Sequence, residues 1–261
     1  MRRHGVLVAL TLVVAACGGA GDAESTVVAA GTTIVDNGVV EYLVAESPFA
    51  ESMNVLAATS AEALTLLEQG AADLAIVHAP DRLATFLQQN PQAQSAVLFQ
   101  SRFVLVGPPD KVAEYDGLSA PEAFAKLALR GDAFVTRADG SGTYESESKV
   151  WEASGVDRTG AAWLTTTGQG MGFTLQVAVD REAFIWVEEG TLVGSPLANR
   201  VQAVELADAD SYPNIYTAVW LDSGGDAGSL VGWIRSPEGD NAIAAMNDAL
   251  FGRRLVVQVR G

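Results

Sequence analysis

The chain has 261 residues, 49% of them hydrophobic and 18% charged, with 26 Gly, 9 Pro and a formal net charge of −16. This composition builds a folded body with a substantial core and excludes intrinsic disorder, collagen and a coiled coil. The acidic balance excludes a nucleic-acid partner, because phosphate backbones are gripped by clustered Lys and Arg.

Residues 1–17, MRRHGVLVALTLVVAAC, place two arginines before an apolar run from Val6 to Val14 and then small residues. That is the layout of an export signal, and the run is too short for a bilayer-spanning helix. Its end, Val14-Ala15-Ala16-Cys17, resembles a bacterial lipobox, which implies cleavage before Cys17 and a lipid on its sulfur. Residues 1–16 are therefore expected to be a lipoprotein signal peptide and 17–25 a flexible tether of small and polar residues. Cleavage removes Arg2 and Arg3 and leaves 14 basic against 32 acidic residues, a net −18. With His4 and Cys17 outside it, the body keeps only His78, so a His/Cys zinc site, a disulfide framework and a Cys nucleophile are out of reach. No metal and no cofactor is expected.

From Thr26 to Ala30 the chain reads as a strand, and Val39, Val40, Leu43 and Val44 form one face of a helix that Pro48 ends. A helix from Ala61 to Gln69 closes at Gly70, followed by a strand over 73–77 and a helix over 81–89. Arg102 to Gly107 is a strand, and Pro108-Pro109 after it is a place for the chain to change lobes. Ser119 and Glu122, three apart around Pro121, read as a capping box opening a helix to Leu129. A strand over 133–136 leads through Gly140-Ser141-Gly142-Thr143 into a helix to Ala153, and Gly168 to Gly172 precede another. Strands are expected over 183–187, 201–206 and 215–221, and Ser236-Pro237-Glu238-Gly239 opens a last helix to Phe251. Alternation of this kind gives an α/β fold of mostly parallel sheets flanked by helices, whose ligands sit beyond the carboxyl ends of the strands.

Four strand-to-helix loops are rich in Gly, Ser or Thr: Gly31 to Thr33, Ala58 to Ser60, Gly140 to Thr143 and Thr167 to Gly172. Each places hydroxyl or backbone N–H donors near a helix start, an arrangement that suits an anion; taken singly, each is equally a cap or a tight turn. Arg137, at the end of the strand over 133–136, supplies a permanent cation with paired donors, and Asp139 two residues on is either its ion-pair partner or turned to a ligand. Six to eight donors at roughly 1.5–3 kcal/mol each would reach the roughly −12 kcal/mol of nanomolar binding without any basic patch.

The segment Arg137-Ala138-Asp139-Gly140-Ser141-Gly142-Thr143 is similar to the oxyanion loop of phosphate-binding and tungstate-binding proteins of ABC importers. Val77-His78-Ala79-Pro80, Val150-Trp151-Glu152-Ala153-Ser154-Gly155 and Thr167-Gly168-Gln169-Gly170-Met171-Gly172 resemble the tungstate-binding family in particular. The resemblance implies a two-lobed periplasmic binding protein of type II, with lobe 1 over 26–107 and 207–261, lobe 2 over 108–206, and the ligand in the cleft between them. It implies that a monomer on the outer face of the cytoplasmic membrane or in the periplasm, anchored through Cys17, delivers tungstate or molybdate to a permease and ATPase. Carried over by position, Arg137 supplies the charge; Thr32, Thr33, Ser141 and Thr143 supply hydroxyl or backbone donors; Gly170 and Met171 supply backbone N–H groups; Thr59 and Ser60 add further hydroxyls. Two departures stand out. The family's Thr-Thr-Thr-Ser run is here Ala30-Gly31-Thr32-Thr33, and its Thr-Asp-Arg is here Val187-Glu188-Glu189.

Two other readings compete. Singly protonated phosphate would gain from an acceptor such as Asp139 or Asp36, whereas a fully ionised oxyanion would be repelled by it. A secreted hydrolase would use Ser141 with His78 as base, although Ser141 lies in Gly-Ser-Gly and not in Gly-x-Ser-x-Gly.

Overall fold

The structure, a computed structural model, describes residues 25–221 and 226–259. The signal peptide, Cys17 and the tether up to Glu24 lie outside the described residues.

β1 (Thr26–Gly31) is buried on both faces, as the centre of a parallel sheet requires. It leads into α1 (Thr32–Asp36) and, across Gly38 at φ 78°, into α2 (Val39–Glu46), which buries the four apolar residues that the spacing predicts. β2 (Met53–Ala58) has no counterpart in the sequence expectations: it is an edge strand with only Met53 and Ala58 buried, so it shows neither alternation nor an apolar run. α3 (Ser60–Glu68) starts at a capping box of Thr59 and Glu62. β3 (Leu74–Val77) is fully buried, α4 (Pro80–Gln89) follows, and β4 (Gln94–Gly107) runs for 14 residues.

The second series is α5 (Ala120–Arg130), β5 (Phe134–Thr136), α6 (Gly142–Ser154), β6 (Leu164–Thr166), α7 (Met171–Asp180), β7 (Phe184–Glu188) and α8 (Glu189–Gly194). At the start of α5, Ser119 N and Oγ both donate to Glu122, at 2.9 and 2.7 Å. The strand expected over 201–206 shrinks to β8 (Gln202–Ala203). Beyond it Glu205 turns to the 116–117 loop, accepting from Gly117 N and donating its own N–H to Asp116, which takes the backbone off the ladder. β9 (Pro213–Trp220), α9 (Asp226–Ile234), α10 (Pro237–Phe251) and β10 (Val257–Gln258) complete the described chain.

The strands lie in the order β2-β1-β3-β9-β4-β7-β5-β6, with β10 and β8 also paired to β4. Two parallel triplets, β2-β1-β3 and β7-β5-β6, form the sheets of the two lobes, and the antiparallel strands β9 and β4 join them. β4 pairs with β9 as far as Arg102 and with β7 from Phe103. The passage between lobes therefore lies inside a strand, before the Pro108-Pro109 pair. Those prolines, lacking N–H donors, end β4 and do not mark the crossing.

Alternate residues of the strands feed opposite faces. In the first lobe Val28, Ala30, Ile76 and Phe99 join one core, and Ala29, Ala75, Val77 and Val219 the other. In the second, Phe103, Leu105, Phe134 and Trp186 pack against Phe124 and Trp151, while Val106, Val135, Ile185 and Val187 meet α7 through Met171 and Leu175. Trp151, Trp186 and Trp220 are buried, and Trp163 and Trp233 pack on the same cores, as expected of structural rings.

Candidate functional site

Where β5 ends, Arg137 leaves the sheet with only 1% of its surface exposed. Its side chain crosses to the first lobe, where Nη2 donates to Thr32 Oγ1 at 3.2 Å and Nη1 to Thr33 Oγ1 at 3.4 Å. Ala138 adopts φ 48°, a left-handed turn that swings Asp139 back beneath the guanidinium. Asp139 Oδ2 accepts from Nε at 3.0 Å and forms an ion pair with Nη2 at 2.8 Å, and Oδ1 accepts from the backbone N–H and hydroxyl of Ser141. Both carboxylate oxygens are thus committed within the loop, and Asp139 orients Arg137.

Ser141 is also the N-cap of α6, accepting from Tyr144 N at 3.2 Å. One residue into that helix, Thr143 Oγ1 is buried and has no hydrogen-bond partner among the described residues. A buried hydroxyl without a partner is costly, so a ligand oxygen that it can reach is stabilised. Gly142 lies between them against the first lobe: a Cβ there would stand 2.1 Å from the His78 carbonyl oxygen. Gly142→Ala is expected to push the lobes apart, costing about 1–3 kcal/mol as overpacking does. A melting temperature and oxyanion affinity equal to wild type would show that the contact yields freely.

The other predicted residues surround this centre unequally. Thr59 Oγ1 accepts from Glu62 N at 3.2 Å and lies 3.5 Å from where a Cβ on Gly140 would stand, which puts its hydroxyl against the second lobe. Ser60 turns aside: it is fully buried, and its Oγ accepts from His78 N at 3.3 Å. The 167–171 loop runs beside Arg137, with Thr167 N and Gly168 N donating to the carbonyls of Thr136 and Arg137 at 3.0 and 2.8 Å. It delivers Gly170 and buried Met171 to the start of α7, which has no side-chain cap, next to Asp36 of α1.

His78 is held apart from Ser141. The Asn214 amide donates to Ser101 Oγ and to Tyr216 Oη, leaving its Oδ1 to accept Nδ1–H of His78 at 2.8 Å. The ring stacks on Tyr216 at 5.0 Å, and burial lowers its pKa to about 4, so it is neutral. Among the described residues no hydrogen bond joins Ser141 to His78; Ser141 bonds Asp139 instead, which removes the geometric basis of a Ser-His pair.

Sequence reasoning missed three groups. Asn214 fixes His78, and Glu147 lies behind β5, taking Thr136 Oγ1 at 2.9 Å and Trp151 Nε1 at 3.0 Å, with burial raising its pKa to about 7. At the departure Glu188-Glu189, Glu188 caps α8 through Thr191 N at 2.7 Å and accepts from Asn37 of the first lobe at 3.4 Å. Glu189 takes Arg102 in a two-pronged pair, at 2.5 and 2.9 Å, and Arg253 at 2.9 Å. Asn37, Arg102, Arg253 and the Asn214 partner of His78 are 64 to 151 residues away in sequence, beyond the reach of any local pattern. Among the described residues no group of three or more His, Cys, Asp or Glu side chains is placed to hold a metal, and no helix is long and apolar enough to cross a membrane.

The profile of the PBP superfamily domain (periplasmic binding proteins) matches residues 18–223. The chain belongs to the PBP superfamily. A Haloferax volcanii protein assigned as an ABC transporter anion-binding protein is 33% identical over 180 residues, which is 68% of this PBP-superfamily chain and 52% of that protein. The tungstate-binding protein TupA of Peptoclostridium acidaminophilum is 27% identical over 64% of this chain and 60% of its own length. The chain thus spans 52% and 60% of the length of these two curated relatives. Among solved structures, the tungstate ABC transporter protein from Geobacter sulfurreducens superposes with a TM-score of 0.74 at 26% identity, covering 85% of this chain and 98% of that one.

Proposed function

We propose that this PBP-superfamily chain is an extracytoplasmic binding protein that captures tungstate, with molybdate alongside, and delivers it to the permease and ATPase of an ABC importer. The observation that carries the reading is the closed circuit of Arg137, Asp139 and Ser141. With both oxygens of Asp139 already accepting, the loop offers donors and no free carboxylate oxygen, which favours a fully ionised oxyanion over one that carries an O–H. Arg137, Thr32, Thr33 and Thr143 would contact the anion, Thr59 would add a hydroxyl, and Gly170 and Met171 would add N–H groups at the start of α7. Ser60, bound to His78, would act from behind the contact layer. The names of the Peptoclostridium and Geobacter relatives support the choice of tungstate. The protein would work as a monomer without a cofactor or a catalytic step, held through a lipid on Cys17 at the outer face of the cytoplasmic membrane or in the periplasm.

One observation favours phosphate as a second reading. Asp36 Oδ2 lies 3.9 Å from where a Cβ on Gly170 would stand, and desolvation raises its pKa against the lowering effect of Arg137. That carboxyl could accept from a protonated oxyanion. Calorimetric titration of the protein with tungstate, molybdate, phosphate and sulfate separates the readings. Heat from tungstate and molybdate at concentrations where phosphate gives none is the expected result. Tight phosphate binding without tungstate binding overturns the ligand, and silence toward all four overturns the class.

A further inference from the structure

α4 begins without a cap of its own: its N-cap residue is Ala79, and no side chain caps it locally. The missing acceptor comes from the other lobe. Glu145, on the first turn of α6, accepts the backbone N–H of Asp81 through Oε1 at 2.9 Å, across 64 residues of sequence. Lys149, one turn further along α6, donates to the same Glu145 oxygen at 3.2 Å and to Asp81 Oδ2 at 3.0 Å. Beside this chain of charges Gly142 meets the His78 carbonyl, and Pro80, Leu83, Glu145 and Lys149 help to line a cavity of about 320 Å³ between the lobes. Glu145 stands four residues after Ser141 and two after Thr143, on the turn that carries both.

We propose that Glu145 is a positioning residue for the oxyanion site, capping α4 from across the cleft and so latching α6, with Ser141 and Thr143, onto the first lobe. The proposal rests on the oxyanion-binding reading above. A carboxylate at a helix N-terminus gains from the free N–H and from the positive end of the helix dipole. When the lobes part, Asp81 N–H passes to water and the carboxylate is rehydrated, so the cap is made only in the closed form. Apparent affinity scales with the fraction of molecules that are closed. Glu145 is the shielded member, with 13% of its side chain exposed against 45% for Lys149 and 70% for Asp81. The cap therefore carries the latch, and the exposed ammonium contributes little.

The test uses the full chain with Cys17→Ser, which leaves it without cysteine. Spin labels on Glu68→Cys in the first lobe and Leu129→Cys in the second, both at exposed positions, report the distance between lobes. Glu145→Ala is expected to lengthen that distance in ligand-free protein. Saturating tungstate should restore the short distance, with Kd raised about tenfold, the size of one lost cap, through faster dissociation. Glu145→Gln, which keeps an acceptor oxygen, should recover most of both effects, and Lys149→Met should stay within about twofold of wild type. Wild-type distances in Glu145→Ala, or weaker binding without a change in distance or dissociation rate, would overturn the latch. If the parent protein binds no oxyanion, the functional reading fails, and the ligand-free distances still decide the latch.

Discussion

Arg137→Ala is expected to weaken tungstate binding by about 100-fold or more in calorimetry. The guanidinium already spends Nε on Asp139 and one N–H each of Nη1 and Nη2 on the two threonines, leaving two of its five N–H bonds for an anion. Two charge-assisted bonds at roughly 1.5–3 kcal/mol each account for that factor. A second effect adds to the first: Asp139, shielded and without its partner, becomes an uncompensated negative charge facing a dianion. The same loss lowers stability, so melting temperature must be followed together with affinity. Asp139→Asn added to Arg137→Ala should restore stability and leave binding lost, separating the two consequences. Arg137→Lys keeps the charge but not the fork and should fall between. Binding by Arg137→Ala within threefold of wild type would remove Arg137 from the site.

Acid dependence of stability should show two buried groups working against each other. His78, held near pKa 4 by burial against an ordinary 6.5, favours the folded state fully above pH 6.5 and loses that contribution as pH falls from 6.5 through 4. Glu147 behaves oppositely. Burial raises it to about 7 against an ordinary 4.5, so its contribution is complete below pH 4.5 and is lost as pH rises through 7. Each contribution is worth roughly 3 kcal/mol, and together they nearly cancel between pH 7 and 4. Removing one should uncover the other. Urea unfolding of Glu147→Gln should give a steeper loss of stability between pH 6.5 and 4 than wild type, and His78→Gln a shallower one. The remaining carboxylates act alike in all three proteins, so parallel slopes would contradict the assignment.

What could be read from sequence was what local chemistry determines. Ser119 with Glu122 marks a helix start within a few residues, and Arg137 and Ser141 are separated by a single turn of chain. β2 was hidden because an exposed edge removes the burial pattern, and the first eight residues of β4 because the irregularity between Val97 and Phe99 breaks alternation. The orientation of Asp139 depended on the left-handed turn at Ala138, which alanine does not advertise. Glu145 against Asp81 depends on how the lobes meet, and His78 against Asn214 on the pairing of β3 with β9, information that no window of sequence contains.

β4 gives Leu98 and Phe99 to the core of the first lobe and Phe103 and Leu105 to that of the second without a break in the strand. Neither half could melt and leave the other intact, because losing that strand strips both sheets at once. The two halves are one thermodynamic unit, and denaturation should pass through a single cooperative step. Cutting the chain within that strand should therefore leave neither half able to fold as a separate protein.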